Sequence, residues 1–133
     1  MSTAGRSVLL ILARELASNL ATPTFLVDGE GMVVFFNDAA EQLLGKPFSD
    51  IGEITGNQLG EMLQMVGEDG AALPTRESPA GIAFYERRPA HKIVSATFFN
   101  GERHVIEATA YPLFGNGGEL HGVVTVFWPT GAD

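Results

Sequence analysis

Apolar residues in this chain recur with two different periods. From Val8 to Leu20 the period is helical: Leu9, Leu12, Leu16 and Leu20 fall on one stripe, with Ala13 and Ala17 beside it. Val8, Leu10 and Ile11 widen the apolar surface beyond one face. A helix of this kind either packs wholly into its own core or touches both its own domain and a second subunit. The period then shortens. "TPTFLVD" and "MVVFFN" are β-rich runs on either side of "GEG", which signals a hairpin. Asn37 suits the N-cap of a helix "DAAEQLLG", and Asp38 and Glu41 lie near its positive end. Gly45 fits a left-handed C-cap, and Pro47 discourages continuation.

Residues 48–89 mix short helical signals with Gly and Pro breaks. "NQLGEMLQMV" predicts a helix with Leu59, Met62, Leu63 and Val66 on one side. "ESPAGIAFYERRP" predicts another, with Ser78 as N-cap, Pro79 at the first position and Pro89 past the end. Three longer β-runs close the chain: "HKIVSATFF", "RHVIEATAYPLF" and "LHGVVTVFW", joined by "NGE" and "GNGGE". The order predicts an α+β domain with a five-stranded antiparallel sheet. In the last run Val123 and Phe127 share one parity and Val124, Val126 and Trp128 the other; "MVVFF" is likewise apolar on both faces. Helices cover one face of such a sheet, so the other needs the N-terminal helix, a partner, or both. This predicts a homodimer through Val8–Leu20 and the outer sheet face.

Composition narrows the chemistry. The length fits one domain with a real core. There is no cysteine, which excludes disulfides, thiolate metal sites and any cysteinyl–cofactor adduct. A net charge of −8 repels phosphate backbones, and the isolated pair Arg87-Arg88 does not reverse that, so no nucleic-acid partner is expected. The run Val8–Ala13 is too short to span a bilayer and is broken by Arg14 and Glu15, so no membrane partner is expected and a cytoplasmic location is.

Two stretches together resemble the PAS sensor domains. One is "FLVDGEGMVVFFNDAAEQLLG": strand, turn, strand, then an Asn-led helix ending Leu-Gly. The other is "VIEATAYPLFGNGGELHGVVTVFW", similar to the paired last strands of that family. The likeness runs from about Asn19 to Trp128. It implies a sheet of order 2-1-5-4-3 with short helices cupped over one face around a small cavity, and sensing or protein–protein signalling rather than catalysis. The expected division is an N-terminal helix over 1–20, a PAS domain over 21–129 and a disordered tail over 130–133. The chain ends "FWPTGAD", without the Asp-Ile-Thr-type motif that often leads into an output helix, which fits a free-standing protein or a fragment cut before an output domain.

The resemblance also frames the candidate site. The light-sensing subclass needs a cysteine that this chain lacks. Haem-binding members use a histidine on the helix before the third strand; "ESPAGIAFYERR" has none, so haem is not expected and the cofactor is left unknown. His104 shares parity with Ile106, Ala108 and Ala110, and so either looks into the cavity or sits at its rim bonded to the backbone. The candidate lining is Leu59, Met62 and Leu63 from one helix, Ile82 and Tyr85 from another, and Ile106 and Ala108 as floor. No His, Asp and Glu set has metal-ligand spacing, and no catalytic constellation stands out. Three readings follow: a non-catalytic module sensing a small apolar ligand or binding a signalling partner, a homodimerisation module with a filled core, or a small-ligand enzyme.

Overall fold

Helix α1 (Val8–Ser18) begins where the Ser7 hydroxyl accepts a bond from the Leu10 amide at 3.0 Å. The computed structural model describes residues 7–130. The first six residues of the expected N-terminal unit, and residues 131–133 of the expected tail, lie outside the described residues. The stripe predicted for α1 is not the one that docks. Leu10 and Ala17 are buried and Ala13 packs beside them, whereas Leu12 is 60% exposed and Leu16 65%. At 3.6 residues per turn the docked line is rotated by roughly a quarter turn from the leucine stripe. The physical reason is close approach. Small residues at 13 and 17 let the axis lie near the sheet, and Gly122 removes the last obstacle. A Cβ on Gly122 would stand 2.5 Å from the Val27 carbonyl oxygen and 3.0 Å from Leu10 Cδ1.

The hairpin of β1 (Thr24–Asp28) and β2 (Met32–Phe36) forms as the sequence implies. Asp28 Oδ1 accepts from the amides of Glu30 and Met32, and Gly31 takes a positive φ to complete the turn. Helix α2 (Asp38–Leu44) follows with Asn37 as its N-cap and Gly45 in the left-handed region as C-cap. Beyond it come α3 (Phe48–Ile51), β3 (Ile54–Thr55), α4 (Gly56–Met62), a 3-10 turn (Thr75–Glu77) and α5 (Pro79–Glu86). The chain closes with β4 (Ala90–Thr97), β5 (Arg103–Phe114) and β6 (Leu120–Pro129).

These strands form one antiparallel sheet of order β3-β2-β1-β6-β5-β4. The five expected strands stand in the expected order. The sixth, β3, has two residues paired with Met32 and Val33, too few for any alternation to show in sequence. The main core lies between the sheet and α2–α5, and holds Val27, Val94, Ile106 and Phe127 against Leu44, Leu59 and Ala83. On the opposite face Leu10 packs with Leu26 and Val34. α1 touches β1 and β6, Leu113 of β5 packs against the same cluster, and among the described residues Ile93, Val105 and Tyr111 on the outer face of β4 and β5 are exposed.

One buried side chain joins these parts. Asn37 Oδ1 accepts from the amides of Ala40 and Thr24, both at 2.9 Å. Its Nδ2 donates to the carbonyls of Ala17 at 3.0 Å, Thr22 at 2.9 Å and Leu20 at 3.3 Å. The amide therefore caps α2, holds β1 and ties down the end of α1 at once.

Candidate functional site

The space between sheet and helices is a cavity of about 70 Å³. Its floor is Phe25 and Val27 of β1, Val94 of β4, Ile106 and Ala108 of β5, and Phe127 of β6. Its roof depends on local capping. α4 starts with a capping box, in which Thr55 Oγ1 accepts from the Gln58 amide and Gln58 Oε1 accepts from the Thr55 amide. That fixes Leu59 and Leu63 over the floor. Past α4 the chain leaves helical geometry at Gln64, which has a positive φ, and runs onto β4. Val66 and Ser95 exchange both backbone bonds, and the Thr97 amide donates to the Leu63 carbonyl at 2.7 Å. This anchors Met65 and, through the Leu73 amide bonded to the Met65 carbonyl, Leu73 at the cavity wall. Gly60 allows α4 to approach the 3-10 turn: a Cβ there would stand 2.9 Å from Thr75 Oγ1.

Of the residues predicted to line a pocket, Leu59, Leu63, Ile106 and Ala108 do so. The other four stand elsewhere. Met62 is 45% exposed, because α4 turns residues 59 and 63 inward and residue 62 lies about 100° away from Leu63 around the axis. Tyr85 is 50% exposed and carries the Arg76 guanidinium over its ring at 3.9 Å. Ile82 is buried but lies outside the cavity lining. His104 lies outside the cavity lining: its ring stacks on Phe98 at 4.6 Å, and Nε2 lies 3.1 Å from Glu102 Oε1, a side chain and not the backbone.

Sequence reasoning missed Phe25, Leu44, Met65, Leu73 and Phe127 as lining residues, and it missed Thr125. Thr125 is buried at the inward parity of β6, between Val123 and Phe127, and its Oγ1 has no hydrogen-bond partner. The signal was present as a lone polar residue within "VVTVFW".

The lining carries no ionisable side chain; its polar side chains are Thr75, Ser78 and Thr125. Ser78 is already engaged, donating to the Thr75 carbonyl and capping α5 at the Gly81 amide. Among the described residues no His, Asp and Glu group is placed to hold a metal ion. On the β5–β6 hairpin the bond from His121 at 2.9 Å holds the Glu119 carboxyl below its ordinary value. The cavity volume is far below the ~300–1,000 Å³ of sites for drug-sized ligands.

Residues 21–127 match the family model described as PAS domain. This chain belongs to the PAS domain family. Members are typically sensory modules of signalling proteins, generally without catalysis of their own. No curated protein matches the chain. Solved PAS structures do. The PAS domain of BvgS from Bordetella pertussis is 18% identical, with 90% of this chain and 84% of that chain covered and a TM-score of 0.61. The PAS domain of the fruit-fly ELK potassium channel is 11% identical, covering 94% and 98% with a TM-score of 0.71. The RsLOV d2 variant is 14% identical, covering 96% and 70% with a TM-score of 0.74. At these identities the likeness is one of fold. Among the described residues of this PAS domain, no helix is long and apolar enough to cross a membrane.

Proposed function

We propose that this PAS domain is a non-catalytic sensory module that takes a small apolar ligand into the cavity and passes its occupancy to α1. The observation that carries the reading is the shared position of Asn37. Phe25 and Leu44 of the cavity wall lie on β1 and α2, the elements that Asn37 holds through Thr24 and Ala40. The same amide holds the carbonyls of Ala17 and Leu20. A ligand that spreads the wall shifts these anchors, and α1 moves with them, provided the ligand binds the two arrangements with different affinity. The absence of any ionisable group from the lining speaks against acid–base catalysis there.

The output surface in this reading is the free side of α1 with the open face of β4 and β5. Val8, Ile11, Leu12 and Leu16 project from α1 into solvent, and a second copy of the chain covers them by two-fold pairing of like surfaces. A reducing cytoplasm suits a chain without cysteine. The same exposed residues favour a second reading, a dimerisation module whose signal is another protein.

Native mass spectrometry of freshly purified protein, before dialysis, separates the two. Added mass on a dimer that leaves on denaturation supports the sensor. A dimer of bare chains, unchanged when small apolar ligands are added, supports the dimerisation module. A monomer at micromolar concentration sinks the pairing in both.

A further inference from the structure

Thr125 points to the chemical class of the ligand. A buried hydroxyl without a partner is costly, and native folds seldom leave one so. Thr125 Oγ1 is such a hydroxyl, and Thr125 is a residue of the cavity wall, together with Phe25, Phe127 and Ala108. We infer that Thr125 is the specificity-determining residue of the cavity, and that its ligand is a neutral molecule of a few heavy atoms with an apolar body and one hydrogen-bonding atom, such as a short-chain alcohol or ketone. This rests on the sensory reading above.

Three features set the class. The volume of about 70 Å³ is roughly half that of an engineered cavity that holds benzene, which limits the ligand to a few heavy atoms. The lining has no charge to pair with an ion, so a charged ligand would bear its desolvation uncompensated. A threonine hydroxyl both donates and accepts, so either an alcohol or a carbonyl oxygen satisfies it. Among the described residues, the other buried side-chain atom without a partner is Nδ1 of His121, which lies on the β5–β6 hairpin and is not part of the lining.

The test uses two probes on the isotope-labelled full chain, followed by amide NMR. Dissolved xenon reports the cavity alone, because it is apolar and cannot hydrogen-bond. Propan-1-ol reports the cavity and the hydroxyl together. Thr125→Val removes the hydroxyl with little change of shape, and Thr125→Ser keeps it. Xenon is expected to shift the amides around Thr125 in all three proteins. Propan-1-ol is expected to bind the wild type and Thr125→Ser alike, and Thr125→Val about five- to tenfold more weakly, the worth of one net hydrogen bond. Without ligand, Thr125→Val is expected to unfold at the same or a higher urea concentration than the wild type, since it loses no bond. Equal propan-1-ol affinity in wild type and Thr125→Val, with xenon still bound, overturns the role of Thr125 and leaves the cavity standing. Failure of both probes overturns the cavity reading as well. A lower urea midpoint for Thr125→Val with unchanged propan-1-ol affinity shows that the hydroxyl is used within the fold, and also overturns the inference.

Discussion

Replacing Asn37 with aspartate keeps the shape and the cap but reverses the chemistry of one end. The side chain is buried, and its Nδ2 supplies protons to three carbonyls, those of Ala17, Leu20 and Thr22. Asn37→Asp retains an oxygen for the amides of Thr24 and Ala40, and aspartate is as good an N-cap as asparagine. The cost is therefore confined to the donor side. Nδ2 has two protons, and each carbonyl stranded without a donor costs about 1–3 kcal/mol. Ionising a carboxyl against those carbonyls adds to this, so a loss of at least about 3 kcal/mol is expected at pH 7, against a total of about 5–15 kcal/mol for a domain of ordinary stability. The pH dependence has a definite sign. Burial and the three facing carbonyl oxygens raise the pKa of the introduced carboxyl in the folded state, outweighing the two amides of Thr24 and Ala40 that favour its charged form. Its protonated form donates one bond again, so the deficit relative to wild type is smallest below the unfolded value, about 3.9, and grows as pH rises through the folded value. Urea unfolding of both proteins at pH 7 and pH 4, followed by circular dichroism, measures this difference. A deficit under about 1 kcal/mol at pH 7, or one that grows on acidification, refutes the donor role assigned to Nδ2.

Three further outcomes are expected. Gly122→Ala should cost about 1–3 kcal/mol in urea melts, because the new methyl meets the Val27 carbonyl and Leu10, and Leu10→Ala should cost less in that background than it does alone. Leu10→Ala alone should cost about 2–5 kcal/mol, whereas Leu16→Glu, on the exposed side of α1, should change the stability of the protomer by less than about 0.5 kcal/mol and, under the proposed pairing, shift light scattering from dimer to monomer. The Glu119 carboxyl should titrate by NMR below its ordinary value and move back up in His121→Phe; its small stabilisation is present above the unfolded pKa and fades as pH falls through the folded one.

What was legible in the sequence was what local chemistry decides. The turn at Asp28 and Gly31, the cap at Asn37 and the stop at Gly45 each need only a few neighbouring residues, and each formed as read. The antiparallel order of the long strands followed from resemblance and alternation together. The docking side of α1 was not legible, because the leucine stripe is the stronger local pattern and the choice was made by Gly122, more than a hundred residues away. The same holds for the roof of the cavity. Met65 reaches it from a stretch whose helical period runs to Val66 although α4 stops at Met62, Leu73 reaches it from an irregular loop, and Met62 and Tyr85 looked inward only while the helix rotations were unknown.

The hold of Val66 on Ser95, and of Leu63 on Thr97, shapes more than the cavity. β4 is the last strand of the sheet, and these bonds occupy part of its free backbone. At the far side β3 offers a border only two residues long. An open strand border invites any extended peptide, since main-chain groups are the same in every protein, and it is a common start of aggregation. Here both borders are blunted while a side-chain surface stays bare between them. Association is thereby steered to contacts made by particular side chains, which selection can tune to one companion, and away from backbone pairing, which accepts all comers.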